Sequence, residues 1–119
     1  MCRALTVLCA AADRARLGEL KRASMAVEWE LTGGSASLEE LVAQVADLRP
    51  DVVVIDAALG PQAVANAKQA KPEVRVVSLG PLPEADEQAA SLEEVRAAIL
   101  SLPRPGGPVR GVQGGAGDT

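Results

Sequence analysis

Short apolar runs alternate along this chain with segments of helical periodicity, and this alternation limits its fold more than any other feature. The runs are four candidate strands, at residues 4–10, 25–31, 51–56 and 74–79. Strands that alternate with helices pair in parallel, because each helix carries the chain back to the start of the next strand. The 119 residues suffice for one core. The sequence therefore predicts a single three-layer α/β domain with helices packed on an open parallel sheet.

Two of the predicted helices begin with a capping box, the Ser-x-x-Glu motif in which each side chain satisfies a backbone donor. One box runs from Ser37 to Glu40 and the other from Ser91 to Glu94. The first opens a helix at 38–48 with a single apolar stripe, which ends at Arg49 because a residue before proline is pushed out of helical geometry. Further helices are predicted at 13–24, at 62–70 and from 92 to 102.

The second strand candidate, residues 25–31, alternates between apolar and charged side chains. Val27, Trp29 and Leu31 share one side, and two glutamates share the other. Charge of this kind suits an edge strand, because it discourages pairing with a second molecule. Gly33-Gly34 is then predicted to form the turn after the strand. Trp29, the only aromatic residue of the chain, is interpreted as a core residue rather than a partner anchor.

Composition excludes several classes of function. A formal charge of -4 and the absence of Phe and Tyr disfavour binding of a phosphate backbone and stacking of bases, so no direct nucleic-acid partner is expected. The chain has no His, the commonest general base and metal ligand, and its two cysteines cannot build a structural zinc site. We therefore expect neither an enzyme nor a bound cofactor or metal ion.

The cysteines and the first residues bear on location. Cys2 and Cys9 are seven positions apart on one extended segment, too far to bond to each other. A reducing compartment fits this spacing, and Cys9 in its apolar strand is interpreted as an inert core thiol. The first apolar stretch is too short to span a bilayer. These features predict a cytoplasmic protein without membrane contact.

The segment from Arg49 to Gly60 carries the main candidate functional residue. Its apolar run ends in one carboxylate, Asp56, at the carboxyl end of a strand, where open α/β sheets keep their binding residues. This segment and the order of elements over residues 3–102 resemble bacterial response-regulator receiver domains. The resemblance implies a flavodoxin-like sheet of strand order 2-1-3-4. The fifth strand would be short or missing, because the residues after Gly80 contain no apolar run.

The resemblance also assigns chemistry to particular positions. Receiver domains place a phosphoacceptor aspartate at the end of strand 3, beside two acids after strand 1 that help it to hold Mg²⁺. A Ser or Thr ends strand 4 and a Lys ends strand 5, and both bind the phosphoryl oxygens. Asp56 matches the acceptor, and Ser78 matches the hydroxyl.

Other positions depart from the receiver pattern. Ala11 and Ala12 stand where the acid pair is expected, with Asp13 one step later, and Gln88 aligns with the lysine. Most Mg²⁺ ligands and the cation would therefore be missing. The chain resembles a degenerate receiver, or pseudo-receiver.

The candidate site residues also have structural interpretations, which stay open. Asp56 is either a retained phosphoacceptor or a cap of the following turn. Ser78 is either a ligand contact or a small hydroxyl at a strand end. Asp13 suits the N-cap of the first helix better than a metal site. Gln88 completes the set of candidate switch or ligand contacts.

Two functions are compatible with these residues. The first is a bacterial signalling or regulatory module that binds a protein partner without Mg²⁺-dependent phosphoryl transfer. The alternative is a small flavodoxin-like ligand-binding protein or enzyme that uses the crevice at the carboxyl ends of strands 1 and 3. We prefer the first, because no base, nucleophile pair or metal set is visible in the sequence.

The compressed region after strand 4 leads to a prediction about assembly. Without a fifth strand, strand 4 would be an apolar edge, which invites another strand. We expect this edge to be covered in one of three ways. A second copy of the chain could pair with it and give a homodimer, or the edge could be covered by Val109–Val112 or by the region of Leu82. The domain is assigned to residues 1–102, and the Gly- and Pro-rich tail 103–119 is expected to be disordered.

Overall fold

A computed structural model describes residues 5–102 and shows five strands and four α-helices, which alternate along the chain except that no α-helix separates the fourth strand from the fifth. The sheet has the order β2-β1-β3-β4-β5, and all its strands are parallel. The fold class and the strand order are thus as predicted, with a fifth strand of only three residues. The strands are β1 Leu5–Ala10, β2 Trp29–Ser35, β3 Val52–Asp56, β4 Arg75–Leu79 and β5 Glu87–Ala89; the helices are α1 Arg14–Ser24, α2 Leu38–Leu48, α3 Gln62–Ala70 and α4 Val95–Ser101.

Helices cover both faces of the sheet and form two core layers. On one face, β1 and β3 side chains such as Cys9 and Val54 pack with residues of α1 and α4. On the other, Val53 and Ile55 pack with residues of α2 and α3. Every residue of β3 is buried, which explains why the sequence shows this strand as a continuous apolar run. No helix within residues 5–102 has the length and apolar run needed to cross a bilayer.

The second strand differs from its prediction. β2 runs through Gly33-Gly34, so the predicted turn there is wrong, and Val27 lies before the strand and is fully exposed. The glycines allow close packing instead. A Cβ on Gly34 would lie 2.5 Å from Cε of Lys21 in α1, and one on Gly33 would lie 3.0 Å from Oε1 of Gln44 in α2. As predicted, β2 is an edge strand.

Trp29 lies in the core, as predicted, with 6% of its surface exposed. Its indole Nε1 donates a hydrogen bond to the backbone oxygen of Ser24, the last residue of α1. The ring is therefore satisfied inside the protein and offers only apolar surface to anything that approaches it from outside.

The two capping boxes behave differently. At α2 the hydroxyl of Ser37 accepts from N–H of Glu40, and the Glu40 carboxylate accepts from N–H of Ala36. At the last helix Glu94 accepts from N–H of Ala90, but Ser91 makes no side-chain cap. The Ser91 half of that prediction is wrong, because the chain first makes a 3₁₀ turn over Leu92–Glu94.

β4 is not an edge strand, and of the three covers predicted for it the region of Leu82 is the one that the structure shows. β5 pairs with residues 77–79 of β4. Next to this pairing, the backbone N–H of Asp86 donates to the oxygen of Val76 (2.9 Å), and its carboxylate accepts from N–H of Val76 (2.8 Å). Lys68 of α3 holds the same carboxylate, and Leu82 is buried against α2 and α3.

The chain's own segment 82–89 therefore covers this edge, and a second copy is not needed there. The other proposed cover, Val109–Val112, lies outside the described residues, as do Ala4, Cys2 and the predicted disordered tail 103–119.

Cys9 is buried in the core between α1 and the sheet, where its thiol hydrogen-bonds the hydroxyl of Ser24 at 3.5 Å. Burial raises the pKa of the Cys9 thiol from 9.0 to about 11, although the hydrogen bond with Ser24 and the charge of Lys21 act in the opposite direction. The thiol is neutral at physiological pH, which fits an inert core residue.

The raised pKa predicts a pH dependence of stability. Between pH 9 and 11 the folded chain keeps the Cys9 proton while the unfolded chain loses it, so this group should lower the free energy of unfolding as pH rises. The expected slope is about 1.4 kcal/mol per pH unit. Urea unfolding of the wild type and of Cys9→Ala from pH 8 to 11 measures it. Parallel pH profiles for the two proteins would contradict this assignment.

Candidate functional site

The carboxyl ends of β1 and β3 lie side by side and bring together the loops that carry the candidate site. Ala10 of β1 pairs in register with Ile55 of β3. Asp56 follows as the last residue of β3, and its side chain is 9% exposed. After β1, Ala11 is buried and Ala12 is exposed, and the chain then enters α1. The Asp56 carboxylate is therefore nearly shielded from solvent at the start of α1.

Asp13 is the N-cap of α1, as its structural interpretation predicted. It has extended backbone geometry, and its Oδ1 accepts from the backbone N–H of Arg16 at 2.8 Å. Its backbone oxygen accepts from N–H of Leu17. These two bonds fix where the helix begins, and they place Arg16 within its first turn.

The central contact of the site joins Arg16 to Asp56. Nε of Arg16 donates to Oδ2 of Asp56 at 2.9 Å, and a terminal nitrogen of the guanidinium donates to Oε1 of Glu19 at 3.1 Å. The hydrogen bond to Asp56, and after it the bond to Glu19, raises the pKa of Arg16 above its ordinary value. Arg16 therefore carries its charge at any pH at which the protein is folded.

The second carboxylate oxygen of Asp56 is also engaged. Oδ1 accepts from the backbone N–H of Ala58 at 3.2 Å and so caps the 3₁₀ turn Ala57–Leu59. The capping interpretation of Asp56 is thus correct for the described structure. A carboxylate that is nearly buried at a strand end needs an opposite charge, since an unpaired buried charge costs several kcal/mol. Arg16 supplies that charge from within the chain.

Ser78 and Gln88 are not part of this arrangement. The Ser78 hydroxyl is buried and donates to the backbone oxygen of Gly80 at 2.7 Å. In the sheet Ser78 lies opposite Ile55 and Gln88, whereas Asp56 lies opposite Leu79. Gln88 is exposed. Hydrogen bonds of the described residues link Asp13 and Asp56 through Arg16, and they link neither Ser78 nor Gln88 to Asp56.

The turn that holds Ser78 also narrows the site. Gly80 has a φ of 99°, which favours glycine, and a Cβ at this position would lie 3.0 Å from Cβ of Ala57. The loop after β4 therefore approaches the loop after β3 closely. This contact leaves little room beside Asp56 on the β4 side.

The residues present do not fit the Mg²⁺ ion that a receiver would hold. Mg²⁺ requires near-octahedral oxygen coordination. Ala11 and Ala12 contribute no side-chain oxygen, Asp13 is committed to the helix cap, and Asp56 already binds a guanidinium. Within the part of the chain that the structure describes, no three His, Cys, Asp or Glu residues gather into a group that could hold a metal ion.

Sequence reasoning missed Arg16, although a signal for it exists. The first turn of α1 has no acidic side chain but contains Arg14 and Arg16. Cations there oppose the helix dipole, which favours negative charge at a helix N-terminus. A cation in that position calls for a carboxylate partner, and the buried strand next to α1 ends in Asp56.

The alternative function placed a ligand in the crevice beside Asp56. A different opening lies toward the amino end of β2. It is an open groove of about 710 Å³ between the loop before β2 and α4, and its lining includes Val27, Trp29 and Leu100. The structure thus has a nearly buried carboxylate at one place and an open apolar groove at another.

The ion pair predicts a specific pattern of stability changes. Arg16→Gln should lower the free energy of unfolding by about 1–2 kcal/mol, since it leaves the nearly buried charge of Asp56 without an opposite charge. In an Asp56→Asn background the same change should cost much less, giving a coupling of about 1 kcal/mol after allowance for the partial exposure of Arg16.

Chemical denaturation of the four proteins measures this cycle. Arg14→Gln is the matched control, because the Arg14 side chain is 80% exposed and should have almost no effect. Equal costs of Arg16→Gln in both backgrounds would mean that the ion pair contributes nothing to stability.

Comparisons with known proteins agree with this architecture. No family model matches the sequence, and no curated protein matches it. Among solved structures, the chain is similar to the response regulator domain of Thermotoga maritima CheB, with a TM-score of 0.64 and 17% sequence identity over 85% of this chain and 100% of that one. A similarity at this low identity shows a shared fold and nothing more. The chain has the fold of a response-regulator receiver domain.

Proposed function

We propose that this chain is a receiver-like signalling or regulatory module that binds a protein partner, and that Asp56 is not phosphorylated by the usual Mg²⁺-dependent route. The observation that carries the proposal is the hydrogen bond from Arg16 to Asp56. It gives the acceptor carboxylate a permanent counter-charge from the chain itself. We assign the module to the bacterial cytoplasm on the strength of its resemblance to receiver domains.

The ion pair opposes phosphorylation for a chemical reason. To form an acyl phosphate, a carboxylate oxygen must attack phosphorus while a divalent cation neutralises the incoming charge. Oδ2 of Asp56 is bound by Arg16, and Oδ1 is bound by N–H of Ala58. Ala11 and Ala12 leave no acids beside them to recruit the cation. The carboxylate is thereby held in a structural role.

The two positions that would bind phosphoryl oxygens in a receiver domain are also unsuited to that task here. The Ser78 hydroxyl donates to the oxygen of Gly80, and the lysine position is occupied by the uncharged Gln88. A phosphoryl group at Asp56 would find neither a free hydroxyl nor a cation beyond Arg16. This favours a module of one fixed shape over a two-state switch.

A receiver fold that does not change shape can still bind a protein partner through its surface. The structurally similar CheB domain is itself described as a response regulator domain, which supports a regulatory role here. In a module without a phosphoryl switch, regulation has to come from the presence or concentration of the partner.

A phosphoryl mimic tests the proposal. Amide NMR spectra of the full chain are recorded while Mg²⁺ and beryllofluoride are added. We expect only small, non-saturating shifts for residues 11–16 and 56–59, because the site lacks the oxygens that Mg²⁺ requires. The positive control is the variant Ala11→Asp/Ala12→Asp/Arg16→Gln, in which the acids return and the arginine is removed, and for which saturable shifts are expected.

Saturable shifts in the wild type at millimolar Mg²⁺ would refute the proposal. Arg14→Gln serves as the matched variant, since it removes a neighbouring arginine that does not touch Asp56.

A further inference from the structure

Exposed apolar side chains are concentrated at one place on the described domain. Of the five large hydrophobic residues that are substantially exposed, three border the groove beside β2: Met25 (58% exposed), Val27 (100%) and Leu100 (59%). Together with Glu28, Trp29 and Arg96 they form what we call the β2–α4 surface. Soluble monomers seldom expose a contiguous apolar patch unless it binds something.

We propose that a second copy of this chain binds the β2–α4 surface and forms a twofold-symmetric dimer. In such a dimer the same patch meets itself, so its charges must be complementary to one another. Glu28 and Arg96 meet this condition, because both are exposed and both lie on the surface. Among residues 5–102 neither takes part in an ion pair, so both charges are available to a partner.

Arg96 is already directed toward the groove. A terminal nitrogen of its guanidinium lies 3.4 Å from the backbone oxygen of Met25, in the loop before β2. This contact links α4 to that loop and holds the positive charge on the groove's border. A twofold axis through the surface would place Glu28 of each copy against Arg96 of the other, giving two identical ion pairs.

The proposed dimer also sets a protruding side chain of each copy against the groove of the other. Val27 is fully exposed in the turn before β2 and lies next to a groove whose lining includes the buried ring of Trp29. Because the indole N–H is satisfied by Ser24, the ring presents apolar surface to the groove. In the dimer, Val27 of each copy fills the groove of the other.

A second copy is a better occupant than the chain's own residues 103–119. That segment is rich in glycine, which loses the most conformational freedom on ordering, and its large apolar side chains are only Val109 and Val112. A second copy brings a preformed surface and avoids that entropy cost. The β4 edge does not compete for this role, since segment 82–89 covers it.

Charge exchange in the full-length chain tests the proposal by sedimentation. The wild type should sediment as a dimer, at twice the chain mass of 12.2 kDa. Glu28→Arg and Arg96→Glu should each weaken dimerisation on the order of 100-fold, because like charges then face each other twice. An equimolar mixture of the two variants should restore the dimer, since each contact then joins an arginine to a glutamate.

The control is Asp47→Arg, an exposed acid on α2 away from this surface, which should leave the dimer unchanged. Circular dichroism verifies that each variant is folded. A wild type that stays monomeric at all concentrations would overturn the proposal, and so would a dimer indifferent to both charge reversals or a mixture that fails to associate.

A photo-crosslinking amino acid in place of Val27 separates the remaining occupants. A product of two chains, joined within residues 25–29 or 96–100, supports the dimer. A product within one chain that joins residue 27 to segment 103–119 would assign the groove to the chain's own tail and overturn the proposal.

Discussion

The contact between Arg16 and Asp56 is the constraint on which the rest of this site depends. β3 is buried on both faces, yet it ends in a carboxylate that must keep an opposite charge close by. The parallel sheet places the β1–α1 connection beside that strand end. The cap by Asp13 then starts α1 at the residue that brings Arg16 into reach of Asp56. The topology and one helix cap together determine the chemistry of the site.

The same constraint separates this chain from the receiver pattern that it resembles. A metal-binding receiver site keeps its carboxylates free for a cation that comes and goes, whereas here the counter-charge is covalently part of the fold. The loops after β3 and β4 approach each other at Ala57 and Gly80, and the Ser78 hydroxyl donates a hydrogen bond to the backbone oxygen of Gly80 in its own turn. At the carboxyl end of β3 the carboxylate is thus held by groups of the chain itself, while the amino end of β2 carries the exposed apolar groove. Binding is therefore expected away from the position at which receivers carry out their chemistry.

Much of the fold was predictable from the sequence because buried positions in strands and helices are occupied mainly by apolar residues. β3 and β4 consist mainly of apolar residues because helices cover both faces of the sheet, and α2 shows its apolar stripe and its cap. The turn predicted at Gly33-Gly34 was wrong, because the sequence does not distinguish a glycine that allows a helix to pack closely from a glycine that forms a turn. β5 has three residues with one buried side chain, too few to form an apolar run. Asp86 extends the pairing with β4, because its backbone N–H and its carboxylate both bind Val76, and no sequence pattern predicts these contacts.

Within the site, Asp13 and Asp56 were predictable from their positions at element ends, but their link was not. Whether Arg16 reaches Asp56 depends on the rotation of α1 about its axis, which the cap sets to within a fraction of a turn. The side-chain Nε–Hε NMR signal of Arg16, assigned by its loss in Arg16→Gln, reports this contact directly. If Arg16 is held by Asp56, we expect a hydrogen-bonded signal that exchanges slowly with water and is unchanged by millimolar Mg²⁺. A rapidly exchanging signal, or one released as Mg²⁺ binds, would show that the carboxylate is free for a metal ion and would contradict the account.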